Sequence, residues 1–383
     1  LSANFDNEQR KKNCLPKGAL PKKALVLHRF EKCVTRYEMS SFLNPHTDPA
    51  RFKRQKLDLD ALKSGILEGD ITALSRAITL AESKKEQDQI QSAALLTKLA
   101  PHTGKALRLG ISGIPGVGKS TFIEAFGNYL IQEQQCKVAV LAIDPSSGRT
   151  GGSILGDKTR MESLARDERA YIRPSPAAGT LGGVAAKTRQ ALMLCDAAGY
   201  DVVIVETVGV GQSEIAVKSM VDCFLLLLLP GAGDELQGIK RGIMEMADII
   251  AINKADGDNA QAAKRAAGDV KRALHLYPEL ETGWTIPVTP CSAIEKQGID
   301  LLWSQIVQFK QHMTLKGHFE QNRQSQRVQW FEEILMETVL SDFKSHPAIA
   351  KALPELQDAI LNNQLDPLAV VQRLMGLWNG SEK

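Results

Sequence analysis

The sequence lacks any Cys-x-x-Cys pair; its six cysteines, Cys14, Cys33, Cys136, Cys195, Cys223 and Cys291, are scattered along 383 residues. A disulfide framework or a structural zinc site needs tighter spacing, so reduced thiols are expected. Cys223 sits in an apolar run and reads as a small core residue. An excess of one charge is missing too. Lys and Arg total 47 against 44 Asp and Glu, a net charge of +3 that points to neither nucleic acid nor an anionic membrane as partner. Long hydrophobic runs are absent: the longest, residues 224–229, falls far short of the ~20 that span a bilayer. Repeats and low-complexity blocks are absent as well. With 43% hydrophobic and 24% charged residues, the composition excludes global disorder.

The first forty residues carry Arg10, Lys11, Lys12, Lys22 and Lys23 but also Asp6, Glu8, Glu31 and Glu38. They lack the apolar centre of a secretory signal and hold acids that a mitochondrial presequence avoids. Residues 1–45 therefore read as a loose tail, or as upstream sequence with Met39 as the start. A cytoplasmic location is expected, with the mitochondrial matrix left open for a eukaryotic source.

Residues 46–104 read as an N-terminal helical segment, with Leu59, Leu62, Ile66, Leu67, Ile71, Leu74, Ile78 and Leu80 at helical spacing. Residues 105–312 alternate short apolar runs with amphipathic segments. The runs at 107–112, 138–143, 202–206, 224–229, 249–253 and 286–289 predict strands buried on both faces. The fold class is therefore α/β, a mostly parallel sheet flanked by helices. Residues 313–383 read as helices only, from Trp330, Ile334, Leu335 and Val339 to Leu368, Val371 and Leu374.

The first strand runs straight into Gly113-Ile-Pro-Gly116-Val117-Gly118-Lys119-Ser120-Thr121, a G-x-x-x-x-G-K-[ST] phosphate loop. Its glycines let successive backbone N–H groups turn inward around phosphates. Lys119 supplies a point charge, Ser120 a hydroxyl for Mg²⁺, and the helix predicted over 122–131 its N-terminal dipole. Asn253-Lys254-Ala-Asp256 follows a later strand. A carboxylate at Asp256 accepts from the guanine ring N–H and amino group, a pattern adenine does not offer, while Asn253 ties the loop together and the Lys254 stem lies against the base. Alone the tetrapeptide could equally be a helix cap; beyond a phosphate loop it reads as guanine selection. Cys291-Ser292-Ala293 fits the backbone loop that G proteins place over the base.

Glu206-Thr-Val-Gly209 occupies the place of a D-x-x-G motif. A carboxylate at that strand end holds a Mg²⁺-bound water and the Gly209 N–H senses the γ-phosphate. Asp144 ends the second predicted strand, and Asp157 sits in a Gly-rich stretch; helix-cap or turn roles are the plainer alternative for all three acids. Val210 stands where a Ras-type GTPase keeps its water-orienting Gln, and the nearest Gln is Gln212, so slow intrinsic hydrolysis is expected.

Taken in order, the phosphate loop, Asp144-Pro-Ser-Ser, the run from Gly151 to Met161, the run from Glu206 to Ser213 and Asn253-Lys-x-Asp256 resemble the MeaB/ArgK (methylmalonic aciduria type A protein) family of P-loop GTPases. The resemblance covers residue 57 to the end. It implies GTP/GDP and Mg²⁺ as ligands, with Asp144, Asp157 and Glu206 at the metal. It also implies an adenosylcobalamin-dependent acyl-CoA mutase, most often methylmalonyl-CoA mutase, as client, and a homodimer joined through a 313–383 arm. The family's extra switch corresponds to residues 231–240, whose Asp234, Glu235, Gln237 and Lys240 are candidates for stimulated hydrolysis, a plain surface loop being the alternative.

Three rivals are weaker. An ATP-driven kinase or ATPase of a basic-amino-acid (LAO/AO) transport system has no use for Asp256. A nickel-insertion GTPase needs clustered ligands, and the seven histidines are scattered. A signal-recognition-type GTPase wants a Met-rich helical domain, which nine dispersed methionines do not make. No D-x-H-x-x-G cobalamin motif occurs, so the cofactor is expected to stay with the partner.

Overall fold

The structure, a computed structural model, describes residues 57–144, 161–176, 181–207, 213–230, 241–278 and 280–380. The expected 1–45 tail lies outside them. Chain contacts divide at Leu57, and every element below belongs to the unit Asp58–Lys383.

Three helices come first: α1 (Leu59–Leu67), α2 (Ile71–Glu82) and α3 (Glu86–Leu99). Asp58 caps α1 by accepting from the N–H of Asp60 and Ala61, and Asp70 caps α2 through Thr72 N–H at 2.8 Å. Such caps contribute about 0.5–2 kcal/mol each. The sheet then alternates with helices: β1 (Leu107–Gly113), α4 (Lys119–Gln132), β2 (Val138–Asp144), α5 (Glu162–Ala165), β3 (Ala170–Pro176), α6 (Leu181–Ala197), β4 (Val202–Thr207), α7 (Ser213–Lys218), β5 (Cys223–Leu228), α8 (Arg241–Met246), β6 (Ile249–Ile252), α9 (Ala260–Leu274) and β7 (Val288–Pro290). Four helices close the chain: α10 (Ile299–Leu315), α11 (His318–Ser345), α12 (Pro347–Leu361) and α13 (Pro367–Trp378).

All seven strands among the described residues are parallel, in the order β3-β2-β4-β1-β5-β6-β7. The near-continuous Val, Ile and Leu runs of β4 and β5 are buried throughout, and β1 is buried except at Arg108, because helices cover both faces. Each such side chain contributes about 1.5–3 kcal/mol by leaving water. The chain winds from β1 out to β2 and β3, returns through β4, and continues as β5, β6 and β7 on the other side of β1. The carboxyl end of β1 is thus the place where winding reverses, where open α/β sheets bind ligands.

β3 has no counterpart among the predicted strands, because Arg173 and Pro174 interrupt its apolar run. Among the described residues it pairs only with β2, Pro174 lying opposite Ala142. An edge strand tolerates a residue without an N–H, which a central strand does not. The helix predicted over 122–131 begins three residues earlier, at Lys119, since the left-handed Gly118 (φ 89°) hands the chain directly into it. The expected boundary at 312 falls within α10. That helix ends at Leu315, and the chain turns at Gly317 (φ 78°).

α11 returns to the sheet only at its start. Arg323 donates Nε and Nη2 to the two oxygens of Asp222 at 2.8 and 2.6 Å, and also reaches the carbonyls of Gly104 and Ala106. Both partners are buried. Further along, Val328, Phe331, Met336, Val339 and Leu340 are exposed. α12 and α13 close over a small core of their own, Ile349, Leu356, Val370 and Leu374.

Candidate functional site

Three described loops meet at the carboxyl end of the sheet, after β1, β6 and β7. The loop after β1 depends on glycine at two points. A Cβ on Gly113 would lie 2.5 Å from the Leu227 carbonyl oxygen of the neighbouring strand, so no side chain fits there. Gly118 takes a left-handed φ of 89° and caps α4 with no side-chain bond to the helix's first N–H groups. The N–H groups of the first turn are therefore left for an anion, with the helix dipole behind them.

Lys119 is 8% exposed and folds back across the loop, its Nζ donating to Gly113 O at 2.7 Å and to Ile114 O at 3.3 Å. An ammonium has three protons, so one remains for a ligand. Burial pulls the Lys119 pKa down, and the nearby carboxylates of Glu206 and Glu214 pull it up. Ser120 is half-buried and Thr121 exposed on the first turn of α4.

The loop after β6 is docked on this one. Asn253, 1% exposed, donates Nδ2 to Val117 O at 2.8 Å, and its Oδ1 accepts from Ala293 N–H at 3.3 Å. Lys254 adopts a left-handed φ of 58°, which costs a non-glycine residue about 1–2 kcal/mol, and donates Nζ to Gly116 O at 2.9 Å. Ser292 Oγ donates to Asp256 Oδ2 at 2.5 Å and accepts from Glu295 N–H, which fixes the carboxylate's orientation. Ala255 N–H bonds Cys291 O at 2.9 Å, so the loops after β6 and β7 form one floor. Burial pushes the Cys291 thiol pKa up to about 12, so it stays a neutral packing group beneath that floor.

The structure thus brings together Gly113, Gly116, Val117, Gly118, Lys119, Asn253, Lys254, Asp256, Ser292 and Ala293. Glu206, 6% exposed, is the penultimate residue of β4 and lies opposite Ile111, near the end of β1. Asp144 ends β2, where only its backbone is described. Asp157, Gly209, Gln237 and Lys240 lie outside the described residues. Among the described residues, no group of three His, Cys, Asp or Glu side chains forms a ready metal cluster.

Two features escape sequence reasoning. Thr207 Oγ1 donates to Ser112 Oγ at 2.8 Å, a buried hydroxyl pair joining the residue before the phosphate loop to the residue after Glu206. Glu214, wholly buried at the start of α7, adds a second carboxylate around Lys119. Its signal lay one residue beyond the run Glu206 to Ser213.

A cradle of backbone N–H groups, one uncommitted ammonium proton and a docked N-K-x-D loop suit a guanine nucleotide. The comparisons with known proteins agree. The family described as "Methylmalonyl Co-A mutase-associated GTPase MeaB" matches residues 74–348. The chain belongs to the MeaB family. Among its relatives, GTPase ArgK of Escherichia coli is 49% identical over 307 residues, covering 80% of this chain and 92% of that protein. The "Methylmalonic aciduria type A homolog, mitochondrial" of Mus musculus is 42% identical over 370 residues, covering 92% and 88%. A solved structure titled "LAO/AO transport system kinase" shares 40% identity at a TM-score of 0.66, covering 85% of this chain and all of that one. In keeping with the family's description and with GTPase ArgK, this MeaB-family chain is a GTPase built on a P-loop sheet.

Proposed function

We propose that this MeaB-family GTPase is a chaperone that gates adenosylcobalamin loading and protects or reactivates an acyl-CoA mutase, methylmalonyl-CoA mutase before others. The observation that carries the reading is the docking of Asn253 and Lys254 onto the phosphate loop, with Asp256 oriented by Ser292, in a chain of this family. Base choice and phosphate grip are thereby mechanically one unit. GTP and GDP would occupy the loop from Gly113 to Thr121. Mg²⁺ would be held by Ser120, with Glu206, Asp144 and Asp157 as its carboxylates, and would neutralise charge developing on the phosphates. The cradle fits: a Cβ at Gly118 would stand 3.1 Å from Asn253 Nδ2, and the first turn of α4 has no side-chain cap.

Intrinsic hydrolysis is proposed to be slow, because Val210 stands where a water-orienting Gln is usual, and Gly209, Gln237 and Lys240 are proposed to act once the client reorganises the switches. A homodimer through the arm is proposed because α11 exposes Val328, Phe331, Met336, Val339 and Leu340 in a row that water would otherwise wet. No nucleic acid or membrane partner is proposed; among the described residues no helix is long and apolar enough to cross a membrane. The proposed compartment is the cytoplasm, or the mitochondrial matrix in a eukaryotic source.

The test is GTP hydrolysis alone and with an adenosylcobalamin-dependent methylmalonyl-CoA mutase. A slow rate that rises severalfold with the mutase supports the reading; a slow rate that does not respond removes the mutase as client. Base selection is tested separately. Asp256→Asn should lose GTP affinity by about 100-fold and gain xanthosine triphosphate, since a pair of hydrogen bonds to a charged group is worth roughly 3 kcal/mol. Unchanged GTP selectivity would take Asp256 out of the base site. An ATP-driven transport kinase, the reading suggested by the solved relative's title, predicts no such switch.

A further inference from the structure

At the opposite end of the sheet, beside the starts of β1 and β5, the root of α11 closes over a cavity of about 340 Å³. Small-molecule sites begin at about 300 Å³. Arg108, Arg189, Arg323 and Arg327 line it, with Trp330 and the apolar Met193.

The four guanidinium groups are unequally matched. Arg323 is saturated by Asp222 and two carbonyls. Arg327 pairs with Glu320 at 2.9 Å on the surface. Arg108 has only a 3.5 Å contact with Asp196, whose two oxygens already accept from the N–H groups of Gly104, Lys105 and Ala106 at 2.7, 3.1 and 3.0 Å. Arg189, 6% exposed, reaches Ser219 Oγ and Gln326 O but meets Glu333 only at 3.3 Å.

Among the described residues, both arginines keep a buried Nε–H without a partner, and so does the indole N–H of Trp330. Burial lowers the pKa of both guanidiniums; Asp222 and Asp196 oppose this at Arg108 and Glu333 opposes it at Arg189, which the charge of Arg108 lowers a little further. Arg189 is buried and Arg108 half-buried, each facing a carboxylate at 3.3 to 3.5 Å and each keeping an idle donor, so an oxyanion that reaches both would use bonds the carboxylates leave unmade. Acceptors are idle as well: Gln326 Oε1, from a residue that lines the cavity, and Glu333 Oε2 behind it. A ligand that suits all of these atoms carries anionic oxygens together with a hydroxyl hydrogen. Hydrogen phosphate has both, whereas a plain carboxylate satisfies only the donors.

We propose that this cavity is a second oxyanion site, separate from the phosphate loop, that takes the phosphate group of a small molecule between Arg108 and Arg189. It sits where α11 leaves the sheet, so its occupant braces the joint of the arm.

The experiment titrates inorganic phosphate and, separately, succinate into the full chain saturated with GDP, read by calorimetry, so that the phosphate loop is already filled. One saturable phosphate event is expected, weakened roughly tenfold in Arg108→Lys, which keeps the charge but loses the idle Nε donor. Trp330→Phe, which keeps the ring and removes one donor, should weaken it by a smaller factor in a protein whose melting is unchanged. Four outcomes overturn the proposal. These are no phosphate binding up to roughly 10 mM, binding that excess GDP abolishes, binding that both variants leave intact, or binding of succinate in preference to phosphate.

Discussion

Lys119→Ala should lower the rate of GTP hydrolysis about 10²–10³-fold, the loss typical when one preorganised charge donor is removed from a phosphoryl or oxyanion site. The reason lies in what holds that ammonium. Two of its protons grip Gly113 O and Ile114 O, which aims the third into the loop; burial works against its charge, and Glu206 and Glu214 work for it. The alanine variant loses the charge where the β- and γ-phosphates would lie, and nothing else among the described contacts replaces it. Folding should survive, because the same substitution relieves the desolvation of a buried cation while costing two neutral-acceptor bonds. Hydrolysis by phosphate release and melting by circular dichroism separate the two effects. Should the alanine variant melt early, Lys119→Met keeps the stem packed and carries the same test. Retained turnover in a folded variant would overturn the phosphate-loop assignment.

The second large effect is one of stability. Arg323→Ala should destabilise the chain by about 3–5 kcal/mol, since it leaves Asp222 as an uncompensated buried charge. Asp222 also accepts from Arg108 N–H at 2.8 Å, so the carboxylate cannot simply turn away. Adding Asp222→Asn to Arg323→Ala should return part of the loss: the amide keeps an acceptor for Arg108 N–H, and the bare charge is gone. Denaturant titration of the single and double variants measures this. A single variant as stable as the parent would mean that α11 is not fastened to the sheet through this pair.

Both effects bear on what could be read beforehand. β4 and β5 were legible because strands covered on both faces write themselves as near-continuous apolar runs, and β1 because it leads straight into the phosphate loop. β3 was not, since Arg173 and Pro174 break the run and only its edge position makes them acceptable. The phosphate loop and the Asn253–Asp256 motif were legible because backbone shape and donor pattern demand fixed residues at fixed spacing. What those motifs do to each other was not. Asn253 reaching Val117 O, Ser112 meeting Thr207 and Arg323 meeting Asp222 join residues 136, 95 and 101 positions apart. Such pairs follow from strand order, and no local pattern announces strand order.

One consequence of the β3 edge concerns the molecule in a crowded solution. A sheet made almost wholly of apolar parallel strands is a template for any stray extended segment, and each addition would present a fresh edge to the next. Midway along β3, Pro174 offers an incoming strand a carbon ring in place of a donor, and beside it Arg173 is held in an ion pair with Glu82 of α2. Growth from that side has to cross a gap in the ladder. The residue that hid the strand from its sequence pattern also ends the sheet.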